Sequence, residues 1–345
     1  MRERTIKAIQ YGVGAAGSRM VRLAMKKGVQ FVGAVDADPA KVGKDVGVVA
    51  AVGPVGVRIV DDPARLFTGK IADVVLHATS HEPRQIVSEV VLPLRAGVNV
   101  ISISGMSFLQ RQFPDLAREI DGAARAGGAT ALGTGLNPGF AQDVLPIVLS
   151  GACEDVTQIV ATRVTDVSPW GPEVVRPYGI GLSEKGFRDG VAAGSIELHS
   201  EIRQSVDMIA YALGWELDEI REDKSPLLTA VERRAPHVTV RSGMVCGFRH
   251  RASGIRAGED VIELQLVGII SPDRSLDGVE PGTTVVVKGS PTVRAVIEGG
   301  IGLAQEVYAA TAARAVNAIP HVLRATPGLA ALPDLPVMAW WKGVD

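Results

Sequence analysis

Residues 5–17 read TIKAIQYGVGAAG and residues 30–36 read QFVGAVD, and these two stretches decide the fold. The first alternates apolar and polar side chains and then gives way to glycines, which is typical of a strand that enters a tight turn. Residues 17–28 follow with the apolar spacing of a helix that ends near Gly28. The order of strand, glycine turn, helix and strand predicts a β-α-β unit.

The glycine turn carries a GxGxxG pattern in Gly12, Gly14 and Gly17, with Ala15 and Ala16 between the last two glycines. The first glycine permits the tight turn, the second lets the backbone approach a pyrophosphate, and the third allows the helix to pack closely on the strand. Backbone N–H groups at the start of a helix also favour an anion. We therefore predict that these five residues bind a dinucleotide, against the alternative of a glycine-rich turn without a ligand.

Asp36 stands 19 residues beyond Gly17, at the end of the second predicted strand. A carboxylate at this point bonds the ribose 2′-hydroxyl of NAD and repels the 2′-phosphate of NADP. Lys41 and Lys44 in the next loop either offset that charge or form a solvated face. The sequence therefore leaves the cofactor as NAD or NADP.

Further strands at 73–79 and 98–103 alternate with helical segments near 82–95 and 113–127. This alternation predicts an α/β fold with a Rossmann-type, doubly wound parallel sheet. After about residue 150 the pattern changes to long β-branched runs and a helix, which predicts a second, mixed α+β domain. We assign residues 1–137 to dinucleotide binding, 138–300 to substrate binding and dimerisation, and 301–345 to a C-terminal helix and tail that pack back on the first domain.

The composition excludes several functional classes. Lys and Arg total 36 against 38 for Asp and Glu, so the net charge of −2 offers no basic surface for nucleic acid. No apolar run is long enough to span a bilayer, and the N-terminus lacks the pattern of a signal peptide. Two cysteines 93 residues apart, with no Cys/His cluster, argue against a disulfide framework or a metal site. We expect a cytoplasmic protein without a bound metal.

Several segments together resemble one enzyme family: the glycine loop, residues 32–45, ADVVLHATS at 72–80, GVNVIS at 97–102, GTGLNPGF at 133–140, ALGWELDEI at 212–220, VIEGGI at 296–301 and NAIPHVL at 317–323. The chain resembles the 2,4-diaminopentanoate dehydrogenase and native amine dehydrogenase family over nearly its whole length. That family is related through its N-terminal domain to the dihydrodipicolinate reductases.

The resemblance implies an NAD(P)-dependent oxidoreductase that acts on C–N bonds. Such enzymes reduce an imine formed from a small ketone or aldehyde and ammonia, or oxidatively deaminate an amine. By resemblance, Thr79, Ser80, Gly135 and Asn137 line the nicotinamide, and the protein is a homodimer. Asn137 has a local alternative as a turn cap, since it precedes a proline.

One departure from the family pattern bears directly on the chemistry. The family places a glutamate just after the strand at 98–103, where it deprotonates ammonia, but residues 103–107 read ISGMS and contain no acid. Another group replaces it, or the enzyme reduces preformed imines or ketones, or the chain is a non-catalytic dinucleotide-binding paralogue.

The candidates for proton transfer are therefore His81, Ser104, Tyr178 and the position of Met106. His81 follows a strand at the edge where doubly wound folds bind ligands, and Ser104 offers a hydroxyl at the end of the next strand. Tyr178 resembles a residue of the family's substrate pocket, with a packing role as the alternative. His77 lies within the strand pattern, and we interpret it as a core histidine.

Overall fold

The computed structural model describes residues 5–79, 82–196, 198, 201–298 and 304–344. The chain divides into two compact units, one made of residues 1–140 and 308–345 and the other of residues 141–307. Ser80 and His81, both candidate site residues, lie outside the described residues.

The first unit contains a sheet of seven parallel strands. The strands are β1 (Lys7–Tyr11), β2 (Gln30–Val35), β3 (Ile59–Val60), β4 (Val74–His77), β5 (Asn99–Ser102), β6 (Thr130–Gly133) and β15 (Gly328–Ala330). The helices are α1 (Ala15–Lys26), α2 (Val46–Val49), α3 (Pro83–Arg95), α4 (Pro114–Gly127) and α10 (Ala304–Val322).

The strands of this sheet lie in the order β15-β6-β5-β4-β1-β2-β3. Strand order therefore reverses between β1 and β4, and in open α/β sheets ligands bind outside the carboxyl ends of the strands at such a point. All four residues of β4 are buried, as are all four of β6, because helices cover both faces of a parallel sheet. The predicted Rossmann-type fold is confirmed.

The second unit is built on a six-stranded mixed sheet in the order β14-β13-β7-β12-β11-β8. Its strands are β7 (Asp155–Asp166), β8 (Glu219–Leu228), β11 (Val245–Arg256), β12 (Glu259–Ile269), β13 (Gly282–Ser290) and β14 (Val293–Glu298), with β9 (Arg233–Ala235) and β10 (Val238–Val240) as a separate pair. Its helices are α5 (Val144–Ser150), α6 (Pro172–Val175), α7 (Glu184–Ala192), α8 (Ile202–Ala212) and α9 (Arg274–Asp277). This arrangement confirms the predicted mixed α+β character.

The structure differs from the sequence-based expectation in three places. One of the β-branched runs predicted after about residue 150, at 284–298, folds as a hairpin of two antiparallel strands, since Ser290–Pro291 breaks the ladder. The long strands β8 and β11 pair with each other and were not predicted, because charged residues interrupt their apolar pattern. The tail carries β15, which pairs with β6, although three residues are too few to give a strand signal.

Among the described residues, no helix is both long enough and apolar enough to cross a membrane.

Candidate active site at the carboxyl edge of the parallel sheet

Four residues form one register row across neighbouring strands at the carboxyl edge of the first unit's sheet. Tyr11 is paired with His77, His77 with Ser102, and Ser102 with Gly133. The parallel direction of β1, β4, β5 and β6 brings the loops that follow these residues to the same edge. The glycine loop, Thr79, Ser104 and the GTGLNPGF segment therefore share one end of the sheet.

The glycine loop leaves this edge between β1 and α1, and its glycines meet different surroundings. Gly12 has a φ of +85°, and a Cβ on it would lie 2.1 Å from the carbonyl oxygen of Ala78. A Cβ on Gly17 would lie 2.0 Å from the carbonyl oxygen of Gly12. A Cβ on Gly14 would meet nothing within 4 Å. Gly12 and Gly17 are thus required by the fold, whereas Gly14 leaves open space at the loop.

The open space beside Gly14 adjoins the N-terminus of α1. Gly14 is the N-cap of this twelve-residue helix, no side chain caps it, and its first turn has no acidic residue. The first N–H groups of a helix have no partner within the helix, and the macrodipole favours an anion there. The loop therefore has the form of a phosphate cradle, and the residues present fit a dinucleotide.

Asp36 lies at the end of β2, beside the same loop. Its Oδ2 accepts a hydrogen bond from the Val13 amide at 2.7 Å, and its Oδ1 accepts one from the Asp38 amide at 2.9 Å. Lys41 Nζ lies 3.2 Å from Asp36 Oδ2 and 3.4 Å from Asp38 Oδ2. The Asp36 side chain is 11% exposed, so its carboxylate is fixed in direction and partly neutralised by Lys41.

A buried polar network lies behind the register row. His77 is fully buried, with Nδ1 2.9 Å from Ser102 Oγ and Nε2 2.9 Å from Glu89 Oε2 on α3. Thr79 Oγ1 donates to the same Glu89 oxygen at 2.5 Å and lies 3.0 Å from His77 Nε2. The interpretation of His77 as a core histidine agrees with this geometry, although one of its partners is a carboxylate.

Glu89 remains ionised in this setting. Burial alone raises its pKa and is the largest single influence, but hydrogen bonds from His77, Thr79 and Gln85 outweigh it, and the pKa lies below its usual value. Because an ionised carboxylate only accepts hydrogen bonds, His77 Nε2 carries a proton. Burial, with a smaller contribution from the Glu89 charge, raises the pKa of Tyr11 to about 12, and the Tyr11 ring packs edge-on against His77.

The other predicted site residues of this unit are Ser104, Met106, Gly135 and Asn137, and each has its own environment in the structure. Ser104 is buried, and its Oγ accepts a hydrogen bond from the Thr79 amide at 3.2 Å, so these two candidates are in contact. Met106 is 2% exposed and packs in the apolar core. Gly135 follows β6, and a Cβ there would lie 2.8 Å from the carbonyl oxygen of Pro138. Asn137 is half-buried and joins Pro138 through a cis peptide bond.

Tyr178 belongs to the second unit. Its ring lies 4.9 Å from that of Phe248 and 6.1 Å from that of Trp170, between centroids, and the side chain is half-buried. Within the described residues, no group of three or more His, Cys, Asp or Glu side chains is placed to hold a metal ion.

Sequence reasoning missed Glu89, although a signal for it exists. Glu89 stands three residues after Ile86 and four before Pro93, both of which are buried. Residues at these spacings share one face of a helix, so the carboxylate is directed toward the sheet. A carboxylate that faces the sheet needs a hydrogen-bond donor there, and His77 in the predicted strand at 73–79 is such a donor.

Comparison with known proteins bears on the identity of this site. The family model for the 2,4-diaminopentanoate dehydrogenase C-terminal domain matches residues 140–344. A curated 2,4-diaminopentanoate dehydrogenase from Acetoanaerobium sticklandii is 36% identical over 345 residues, which cover 96% of this chain and 94% of that protein. The chain belongs to the 2,4-diaminopentanoate dehydrogenase family. The resemblance stated from the sequence motifs is thereby confirmed.

Two amine dehydrogenases extend the comparison. The curated enzyme from Streptomyces virginiae is 28% identical over 350 residues, covering 96% of each chain. The solved structure of the amine dehydrogenase from Mycobacterium smegmatis superposes with a TM-score of 0.83 at 24% identity, covering 99% of each chain, and shows a shared fold. As a member of the 2,4-diaminopentanoate dehydrogenase family, the chain is an NAD(P)-dependent oxidoreductase that acts on amines, which confirms the predicted enzyme class.

Proposed function

We propose that this chain oxidises a small amine to the ketone or aldehyde and, in the reverse direction, reductively aminates that carbonyl compound with ammonia. The observation that carries the proposal is the proximity of Thr79 to Gly12 of the glycine loop at the strand-order reversal. A Cβ on Gly12 would lie 3.1 Å from Thr79 Cγ2. The polar network of Thr79, His77 and Glu89 therefore adjoins the loop that is proposed to bind the dinucleotide. Family membership supports amine chemistry at this position.

NAD or NADP supplies a hydride acceptor or donor when it is bound. In the proposal, the amides at the start of α1 bind its phosphates, and Asp36 accepts the ribose 2′-hydroxyl. Thr79, Ser80, Gly135 and Asn137 line the nicotinamide. Because Asp36 keeps a carboxylate beside the ribose position, we propose that NAD is preferred over NADP.

The substrate-side assignments are proposals as well. Residues 1–137 bind the dinucleotide, and the second unit supplies substrate binding, with the Tyr178 phenol as a hydrogen-bond partner for a substrate heteroatom. Ser104 after β5, the Met106 position and His81, which lies outside the described residues, remain proton-transfer candidates. Ser104 has the most specific support, since it contacts the amide of Thr79.

A second candidate function is the reduction of preformed imines or ketones without ammonia. It is favoured by the segment 103–107, which contains no carboxylate to deprotonate ammonium. A positioned acid or base contributes on the order of 10²–10⁴-fold to such reactions, so its absence at the family's position matters. The third candidate function is dinucleotide binding without catalysis.

The deciding experiment follows NADH and NADPH oxidation at mildly alkaline pH with a panel of small aliphatic ketones and aldehydes, with and without ammonium, and NAD(P)⁺ reduction with the matching amines. Oxidation that requires ammonium supports the proposal. Oxidation that is indifferent to ammonium supports the second candidate. NADH binding without turnover in either direction supports the third.

A glycine variant tests the proposed cradle independently of turnover. Gly14→Ala places a methyl group where a pyrophosphate would approach but meets no protein atom, so we expect an unchanged Tm and at least tenfold weaker NADH binding, or about 1.4 kcal/mol. Gly69→Ala is the matched control, since its Cβ also meets nothing within 4 Å and lies outside the loop. Equal NADH affinity in both variants would overturn the cradle assignment.

We also propose a cytoplasmic homodimer, assembled through the second unit. Light scattering coupled to size-exclusion chromatography tests the assembly, since the chain mass is 36.2 kDa and a dimer has twice that mass. A species at the single-chain mass would contradict it.

A further inference from the structure

Thr79 connects the glycine loop to a buried carboxylate. Its methyl group lies 3.1 Å from the position of a Cβ on Gly12, while its hydroxyl donates to Glu89 Oε2 at 2.5 Å. Its amide donates to Ser104 Oγ, which fixes the backbone at this point. Thr79 thus lies at the strand-order reversal, where doubly wound sheets bind their ligands, with its hydroxyl bonded to an ionised acid.

The network behind Thr79 is able to hold an additional proton. Glu89 Oε2 contacts both the Thr79 hydroxyl and His77 Nε2, and Glu89 Oε1 accepts from Gln85 Nε2 at 2.9 Å. The other nitrogen of His77 lies 2.9 Å from Ser102 Oγ, which in turn bonds the backbone of Ser104. Each partner of Glu89 is therefore itself held, and a proton taken up by the carboxylate remains hydrogen-bonded.

Amine oxidation requires such a group. An aliphatic amine with a pKa near the lysine value of about 10.4 is almost entirely ammonium at neutral pH, and it loses a hydride only after it has lost a proton. Residues 103–107 provide no carboxylate for this step, although the family pattern places one there.

Resting on the amine chemistry proposed above, we propose that Thr79 and Glu89 together replace the missing glutamate. The N–H bond of the substrate ammonium breaks as its proton passes to Thr79 Oγ1, and the original Thr79 O–H bond breaks as its proton passes to Glu89 Oε2. The products are the neutral amine and the Glu89 carboxylic acid, so charge and atoms balance. Thr79 is the catalytic residue of this pair, and Glu89 and His77 are positioning residues that act through it.

The groups around Glu89 are consistent with a carboxylate that is ionised before the step. The titratable side chains that act on it among the described residues are His77 from β4 and Tyr11 from β1. Burial, the largest single influence, raises the pKa of Glu89, but the hydrogen bonds from His77, Thr79 and Gln85 together outweigh it and keep the pKa below its usual value. Tyr11, whose pKa is raised to about 12, stays neutral and does not compete as a base.

The test compares the pH dependence of amine oxidation in the wild type and in Glu89→Gln, Glu89→Asp and Thr79→Val. We expect the wild-type rate to be level already at neutral pH, because Glu89, whose pKa lies below its usual value, is ionised there. Glu89→Gln and Thr79→Val should lose about 10²–10⁴-fold at neutral pH and then rise about tenfold per pH unit, because they depend on free amine from solution. Glu89→Asp should recover part of the rate. A loss of equal size at every pH would indicate a purely structural role and overturn the proposal.

A control variant and a binding measurement separate this inference from the proposed function. Ser88→Ala on the exposed face of the same helix is the control, and NADH affinity should remain within about twofold of wild type in Ser88→Ala and in both Glu89 variants. Wild-type turnover with an unaltered Glu89→Gln profile would overturn this inference alone, whereas no amine turnover in the wild type would overturn the proposed function and this inference together.

Discussion

The Oδ2 atom of Asp36 accepts a hydrogen bond from the backbone amide of Val13 at 2.7 Å, across 23 residues of sequence. The carboxylate that is proposed to recognise the ribose is therefore part of the same structure as the loop that is proposed to bind the phosphates. Cofactor affinity and cofactor choice should respond together to substitutions at Asp36.

Substitution of Asp36 or its lysine partner should change the preference between NADH and NADPH in opposite directions. Asp36→Ala should weaken NADH binding about tenfold and reduce discrimination against NADPH, because the acceptor for the 2′-hydroxyl and the repulsive charge are both lost. Lys41→Ala should increase the preference for NADH several-fold, because it removes the cation 3.2 Å from Asp36. Fluorescence titration with each cofactor measures both. The exposed Lys70→Ala is the control, and an unchanged NADH/NADPH ratio in Lys41→Ala would contradict the role of the ion pair.

Loss of Arg233 should destabilise the second unit strongly. Arg233 is 5% exposed and bonds Asp277 through two nitrogens at 2.9 and 2.5 Å, with further hydrogen bonds to the carbonyl oxygens of Ile270 and Ser271. Arg233→Ala leaves the Asp277 charge buried without its partner, which lowers the free energy of unfolding by about 3–5 kcal/mol. Denaturant unfolding monitored by circular dichroism measures the change. Arg221→Ala breaks an exposed pair with Glu219 and should leave the free energy of unfolding nearly unchanged, because solvent screens such pairs; equal effects of the two variants would contradict the prediction.

The pair of Glu222 and His250 should make stability fall in acid. Burial alone raises the pKa of Glu222, but hydrogen bonds from His250 and Arg203 outweigh it and lower the pKa from 4.5 to about 2. A carboxyl group with a lowered pKa in the folded state stabilises above its unfolded value and loses that contribution as the pH falls toward its folded value. We expect a loss of roughly 2–3 kcal/mol between about pH 4.5 and pH 2 from this group.

Glu222→Gln should flatten this part of the acid profile, as measured by urea unfolding at a series of pH values. Glu219→Gln, an exposed carboxylate on the same strand, is the matched control and should leave the profile unchanged. A Glu222→Gln profile as steep as that of the wild type would show that the pair does not control acid stability.

Two glycines of the first unit should respond oppositely to alanine. A Cβ on Gly133 in β6 would lie 1.9 Å from the carbonyl oxygen of Met106, so Gly133→Ala should lower the free energy of unfolding by about 1–3 kcal/mol. A Cβ on Gly122 in α4 would meet nothing within 4 Å, and Gly122→Ala should raise stability by about 0.5–1 kcal/mol. Thermal unfolding of both variants measures the difference. A neutral Gly133→Ala variant would mean that the loop carrying Met106 moves easily.

The fold of the first unit was predictable because its signals are local. The strand, glycine turn, helix and second strand follow one another between Lys7 and Val35, and each is defined by its own side-chain pattern. The second unit was predicted only as a class. Its strands β8 and β11 carry charged residues along their length, and their pairing depends on contacts between distant segments.

The residues of the candidate site were likewise predictable from the sequence only in part. Gly12, Gly14, Gly17 and Asp36 were identified from spacing alone. Glu89 was missed because a glutamate on an amphipathic helix is most often a solvated residue, and only the packing of α3 shows which side chains face the sheet. Met106 was singled out because it lies in the segment where the resemblance places the family's glutamate. The structure buries its side chain in the core.

The sequence by itself determined the parallel sheet and the family, and it predicted the dinucleotide loop with its acidic partner, since each depends on residues close together in the chain or on motifs in a fixed order. Only the tertiary structure decided that His77, Glu89 and Ser102 meet. Their contact requires β4 to lie beside β5 and α3 to turn one particular face inward, and these arrangements are fixed by the packing of the whole unit.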